Sequence, residues 1–235
     1  MSPRTKARMA GFFYLVTIAG GIYAQGFVAE RLFVSGDAAA TAANILNHPF
    51  QFRAGFAVYL IEMTAQLAMT ALMYELLKPV SRSASLLAAV FGFVGCTIKI
   101  VSRLFYYAPM LVLGGSRYLS VFTREQLDAL ALLLIRINDQ GAGIALFFFG
   151  VNTLLSGYLI IQSTFWPRFL GVLAVLGGAG WLTFLWPPLG LRLFPYIAVV
   201  GLAGSLATIG WLLIVGLDEE RWTAQARTAE SSIWS

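Results

Sequence analysis

The sequence predicts an all-α fold, a polytopic membrane bundle of six transmembrane helices, and three observations carry that prediction. Of 235 residues, 59% are hydrophobic and only 11% are charged, less than half of the roughly 25% charged share of a soluble domain. Mean hydropathy is +0.77. Six long apolar stretches stand between polar or Pro/Gly punctuation, and most reach the ~20 residues that a helix rising ~1.5 Å per residue needs to cross hydrocarbon. No run of short alternating segments, the mark of a membrane β-barrel, occurs in the sequence.

The expected spans cover about residues 10–28, 54–77, 86–113, 137–161, 169–185 and 195–216. The basic start, Arg4, Lys6 and Arg8, precedes an apolar run too long for a signal-peptide core, so it reads as a retained first helix. In the first outer loop, Ser35, Gly36 and Asp37 cap a short Ala-rich helix that Asn47, His48 and Pro49 end. Thr123 and Gln126 have capping-box spacing, opening a helix that continues into the fourth span. Trp186, Pro187, Pro188, Leu189 and Gly190 read as the turn between the last two spans. Residues 1–216 then form one transmembrane domain, and residues 217–235 a polar cytoplasmic tail.

Orientation follows from the basic residues, which cytoplasmic loops retain during insertion. Six spans place both termini on one side, with Lys78, Arg82, Arg168, Arg221 and Arg227 beside the basic N-terminus. The opposite side holds Arg31, Arg53, Arg117, Arg124, Arg136 and Arg192. The bias favours both termini in the cytoplasm. The net charge of +5 thus serves orientation and calls for no nucleic-acid partner. One cysteine and one histidine leave disulfide frameworks, bis-histidine haem and catalytic zinc short of ligands, so no cofactor and no metal is expected. No nucleotide-binding motif is present, and Ser156 has no base to make it a nucleophile.

Several residues carry a resemblance. Arg8, Ala10, Gly11, Tyr14 and Leu15 open the chain, and Leu76, Leu77, Lys78, Pro79 and Val80 close the second span. Phe148, Phe149 and Gly150 precede Gly157, Tyr158 and Leu159, and then Pro167, Arg168, Leu170 and Gly171. Together they resemble a bacterial family of six-helix integral membrane proteins known as a domain of unknown function. The likeness runs from about Arg8 to Leu182. It implies the fold and a bacterial cytoplasmic (inner) membrane location, and it implies no activity.

Function must therefore be sought in polar residues at membrane depth, which are expensive and are paired, solvated or functional. Lys99 and Arg103 lie four apart on one face of the third span, with Tyr106 along the same stripe. Glu62, with Tyr59 and Gln66 a turn to either side, lies in the second span. Counting ~1.5 Å per residue from the inner ends puts Glu62 about 24 Å up and the two cations roughly 20 to 27 Å up, a common depth in the outer half. Adjacent antiparallel spans pack together, so Glu62 can pair with Lys99 or Arg103. One positive charge is then left over unless Asp139, beside Arg136 and Asn138, enters the layer.

The candidate ligand-binding residues are therefore Glu62, Lys99, Arg103, Asp139, Gln66 and Tyr106. The expected partners are the lipid bilayer and an anionic or lipid ligand held against Arg103 and Lys99. The competing reading is an interhelical network that only fixes packing. A binding or accessory module is the leading function. A small proton-coupled secondary transporter and a membrane-embedded enzyme acting on a lipid or isoprenoid are the rivals. Glu75 with Lys78 reads as interfacial pairing, Cys96 as a core residue and the span glycines as close-packing positions.

Overall fold

The computed structural model describes residues 1–231, and no strand occurs among them. The last part of the expected tail, residues 232–235, lies outside the described residues. Helix α1 (Pro3–Ile22) passes into a π-helical segment (Tyr23–Ala29) and the single turn α2 (Glu30–Leu32). There follow α3 (Ala38–Asn47), α4 (Pro49–Leu77), α5 (Arg82–Val112), α6 (Arg124–Gln162), α7 (Arg168–Leu182), α8 (Pro187–Ile214) and α9 (Glu219–Ser231). Six helical stretches are long and apolar enough to cross a membrane: Pro3–Leu32, Pro49–Leu77, Arg82–Val112, Arg124–Gln162, Arg168–Leu185 and Pro187–Ile214. The protein is a multi-pass membrane protein.

Local chemistry explains where the helices begin. Asp37 Oδ1 accepts from the backbone N–H of Ala40 at 2.9 Å, capping α3. At the start of α6 the Thr123 N–H donates to Gln126 Oε1 at 2.9 Å and the Gln126 N–H to Thr123 Oγ1 at 3.4 Å, a reciprocal capping box. From there one helix runs to Gln162. Pro49 follows the end of α3, and it is also the first residue of α4. The same logic corrects the reading of residues 186–190 as a turn. Pro187 and Pro188 are the first residues of α8, where their missing N–H groups would have no intrahelical acceptor anyway. Pro195, expected to open the last span, lies inside that helix.

The described part of the polar tail is ordered. It forms α9, and its Trp222 Nε1 donates to the Leu76 carbonyl at 2.9 Å. Nothing in the polar composition of this stretch marks the anchor except the tryptophan itself.

The chain divides into two compact units. Unit 1 comprises Met1–Val16, Ala65–Cys96 and the residues from Gly143 onward; unit 2 comprises Thr17–Thr64 and Thr97–Ala142. Unit 1 has a core that includes Ala7, Leu76, Leu159, Phe165, Trp166, Leu170 and Leu212. Its charged end is tied by Glu75, which accepts from Lys78 Nζ at 3.0 Å and from Lys6 Nζ at 3.3 Å. Unit 2 is built on Val28, Leu32, Ile45, Phe52, Tyr59, Tyr106 and Ile135.

In lipid no hydrophobic force draws helices together, so they associate through close packing. The pair α6 and α7 uses glycines seven residues apart on both helices. A Cβ at Gly157 would lie 2.8 Å from the Gly171 carbonyl oxygen, and one at Gly171 would lie 2.6 Å from that of Gly157. Two turns along, a Cβ at Gly178 would lie 2.9 Å from the Gly150 oxygen, and the reverse distance is 3.0 Å. Seven residues are nearly two helical turns, so each pair of glycines shares a face. The obstacles are backbone atoms, which cannot rotate aside. Gly171→Ala is therefore expected to cost about 2 kcal/mol or more by overpacking. Gly210→Ala, where nothing lies within 4 Å, should leave the melting temperature in detergent unchanged, and differential scanning fluorimetry of the two variants checks the contrast.

Candidate functional site

The polar residues expected to share a layer meet inside unit 2. Glu62 on α4 is 3% exposed, and Lys99 on α5 donates to its Oε1 at 2.5 Å. The second oxygen, Oε2, is buried without a hydrogen-bond partner among the described residues. Gly20 and Gly21 of α1 face this carboxylate: a Cβ at Gly20 would sit 3.3 Å from Glu62 Cβ, and one at Gly21 would sit 3.4 Å from Oε1. The two glycines therefore let a bare stretch of helix lie against the ion pair.

One turn further along α5, Arg103 is equally buried. Its Nη1 donates to Asn138 Oδ1 at 2.8 Å. Its guanidinium carbon lies 3.6 Å from the centroid of the Tyr59 ring, a cation–π stack. Asn138 Nδ2 in turn donates to Asp139 Oδ1 at 3.1 Å. The surplus positive charge left by the Glu62–Lys99 pair is thus balanced by Asp139 through an amide that accepts from the cation and donates to the anion. Arg103 Nε has no partner among the described residues. Tyr59, stacked on Arg103, extends the network by donating from its hydroxyl to Gln25 Oε1 at 3.3 Å.

Gln25 lies in the π-helical segment. A π turn carries one more residue than the α-helix it interrupts, which re-aims the side chains around it, and such turns occur frequently at functional sites. Gln25 and Asp139 both line a cavity of about 180 Å³, together with Glu30, Ser35, Arg136 and Phe33. Arg136 Nη2 donates to Ser35 Oγ at 2.8 Å across its mouth.

Lys99 and Arg103, against which an anion was expected, do not line this cavity. Tyr106 is fully buried in the aromatic core of unit 2, stacked on Phe52 at 4.7 Å and edge-on to Tyr59 at 5.2 Å. Its hydroxyl donates to the Phe52 carbonyl at 3.4 Å. Gln66 belongs to unit 1, where its carbonyl accepts from Thr70 Oγ1 at 2.8 Å. The cavity residues Gln25 and Glu30 are additional to the expected set. Gln25 is visible in the sequence as a lone amide near the end of an apolar stretch, whereas the π turn that aims it is not. Among the described residues no group of three or more His, Cys, Asp or Glu is placed to hold a metal ion.

A family model described as "Domain of unknown function (DUF4386)" matches residues 9–216. The chain belongs to the DUF4386 family. It is also similar to a protein of Archaeoglobus fulgidus described as "Uncharacterized protein", 25% identical over 169 residues, which cover 68% of this chain and 80% of that one. No solved structure matches. The six-helix family of unknown function read from the sequence is this one, and that relative is archaeal.

The ion pair of this DUF4386 protein makes a definite energetic claim. Removing one partner of a buried pair strands the other charge and costs ~3–5 kcal/mol, whereas replacing both with apolar residues is often neutral. Glu62→Gln is expected to lower the melting temperature in detergent markedly, and Glu62→Met combined with Lys99→Met to restore it. A double-mutant cycle read by thermal melting tests this, and additive losses would show that the two side chains do not stabilise one another.

Proposed function

We propose that this DUF4386 protein is a binding module of the membrane whose polar site takes a small ligand at the mouth formed by Gln25, Glu30, Arg136 and Asp139. The observation that carries the reading is that Gln25 and Asp139 line the cavity while they end the hydrogen-bonded chain that runs inward to Tyr59 and Arg103. A ligand that bonds either residue competes directly with the partners of a buried cation. Occupancy is thereby coupled to the interior of unit 2.

Charge favours a particular ligand class. The cavity presents two carboxylates, Glu30 and Asp139, against one guanidinium, Arg136, so a small amine or zwitterion fits it better than the simple anion expected from Lys99 and Arg103. The location that goes with this reading is a prokaryotic cytoplasmic membrane with both termini inside, supported by the distribution of Lys and Arg along the chain.

A second reading, a proton-coupled carrier, draws on the buried Oε2 of Glu62, which has no hydrogen-bond partner among the described residues, since ionisable groups within spans often line transport pathways. It requires ligand uptake into proteoliposomes driven by a pH gradient and abolished in Glu62→Gln.

Native mass spectrometry of protein purified gently from its own membrane tests the binding reading. The wild type is expected to carry a bound small molecule that Asp139→Asn and Gln25→Leu both lose; Asp139→Asn also removes the counter-charge of Arg103 and lowers the melting temperature, whereas Gln25→Leu, with a melting temperature close to wild type, separates loss of the ligand from loss of the fold. Identical spectra from all three proteins would remove the site and leave the network a packing device.

A further inference from the structure

A second cavity, of about 710 Å³, lies in unit 1 at the ends of three candidate spans, where α1 begins, α7 begins and α8 ends. Its volume falls within the ~300–1,000 Å³ of small-molecule sites. One wall is apolar, formed by Phe165, Pro167 and Trp211. The Trp211 ring stands edge-on to Phe169 at 6.0 Å, and its indole N–H is buried without an acceptor among the described residues. Beside this wall Phe169 is 50% exposed and Ile214 is 78% exposed, a surface fit for acyl chains.

The other wall is charged with both signs: Arg4 and Arg221, with Asp218, Glu219 and Glu220. Internal bonds use only part of this capacity. Arg4 spends Nε on the Val215 carbonyl at 3.3 Å. Arg221 spends Nε on Asp218 at 3.2 Å and Nη1 on the Thr164 carbonyl at 3.4 Å. Glu219 is engaged with the N-terminal turn, where its Oε1 accepts from the Arg4 N–H at 3.0 Å. Hydrogen bonds from the Ser2 side chain and then the Arg4 backbone hold its carboxyl below the usual range. No hydrogen bond or ion pair engages the Glu220 carboxylate among the described residues, Arg221 turning instead to Asp218. The Nη groups of Arg4, Nη2 of Arg221 and the Glu220 carboxylate therefore remain available in one cavity at a membrane boundary.

We infer that this cavity is a headgroup site for a phospholipid that joins a phosphodiester to a primary ammonium. The two guanidiniums take the phosphate, for which their planar forks are suited, and Glu220 takes the ammonium. The acyl chains leave over Phe169 and Ile214. A quaternary ammonium has no N–H to donate to Glu220, and a headgroup without any cation leaves the three carboxylates facing an anion. The mixed charge thus selects phosphatidylethanolamine over phosphatidylcholine and phosphatidylglycerol.

Delipidated full-length protein, offered equal amounts of these three lipids and analysed by native mass spectrometry, tests the assignment. Wild type is expected to retain phosphatidylethanolamine about 5-fold or more over each competitor, a preference of roughly 1 kcal/mol. Glu220→Gln, which breaks no internal bond, should abolish the preference over phosphatidylcholine. Arg4→Gln with Arg221→Gln should lower retention of all three, and a melting temperature near wild type separates this loss from misfolding. Equal retention of the lipids by wild type, or an unchanged preference in Glu220→Gln, overturns the inference. So does soluble phosphoethanolamine binding with no lipid preference, because that outcome assigns the cavity to a free solute.

Discussion

Hydrocarbon solvates neither charge nor backbone polarity, and that refusal decides how the interior of this protein is arranged. Glu62, Lys99, Arg103 and Asp139 bring two negative and two positive charges to unit 2. Lys99 answers Glu62 directly, and Arg103 answers Asp139 through the amide of Asn138. The stack of Arg103 on Tyr59 disperses the remaining positive field over an aromatic face. Each side chain is then held by its neighbours in a way that few rearrangements preserve.

The same solvent also withholds the usual reward for bringing helices together, and unit 1 meets the problem with backbone contact. Gly150 and Gly157 on α6 oppose Gly178 and Gly171 on α7, so main-chain atoms approach where side chains would otherwise hold the helices apart. The motif glycines that carried the family resemblance, Gly150, Gly157 and Gly171, belong to this seam. In this chain their role is steric, since a Cβ at each would meet backbone of the facing helix.

The architecture was legible because a membrane span is a property of composition over some twenty residues, and errors of a few residues do not disturb it. The depth of the charged layer was legible too, since a straight helix converts residue count into height. Side-chain direction was not. Whether Arg103 faces an anion or Tyr59, and whether Tyr106 points into a site or an aromatic core, depends on helix rotation, which a hydrophobic stretch on all faces does not encode. The start of α8 was misread because two prolines signal a turn and a first helical turn equally well. The order in α9 was missed for a related reason, as its anchor is a single indole bond to Leu76.

The π-helical segment at Tyr23–Ala29 means that α1 carries one residue more than a plain α-helix of the same length would. Deleting one residue there would remove that extra residue and let the segment close into a plain α-helix, changing which side chains it presents locally while leaving span length and hydropathy almost untouched. A relative lacking that residue would look identical in every hydropathy profile, yet would aim a different side chain at Tyr59. Hydropathy alone therefore does not reveal this device, whereas the backbone of Tyr23–Ala29 does.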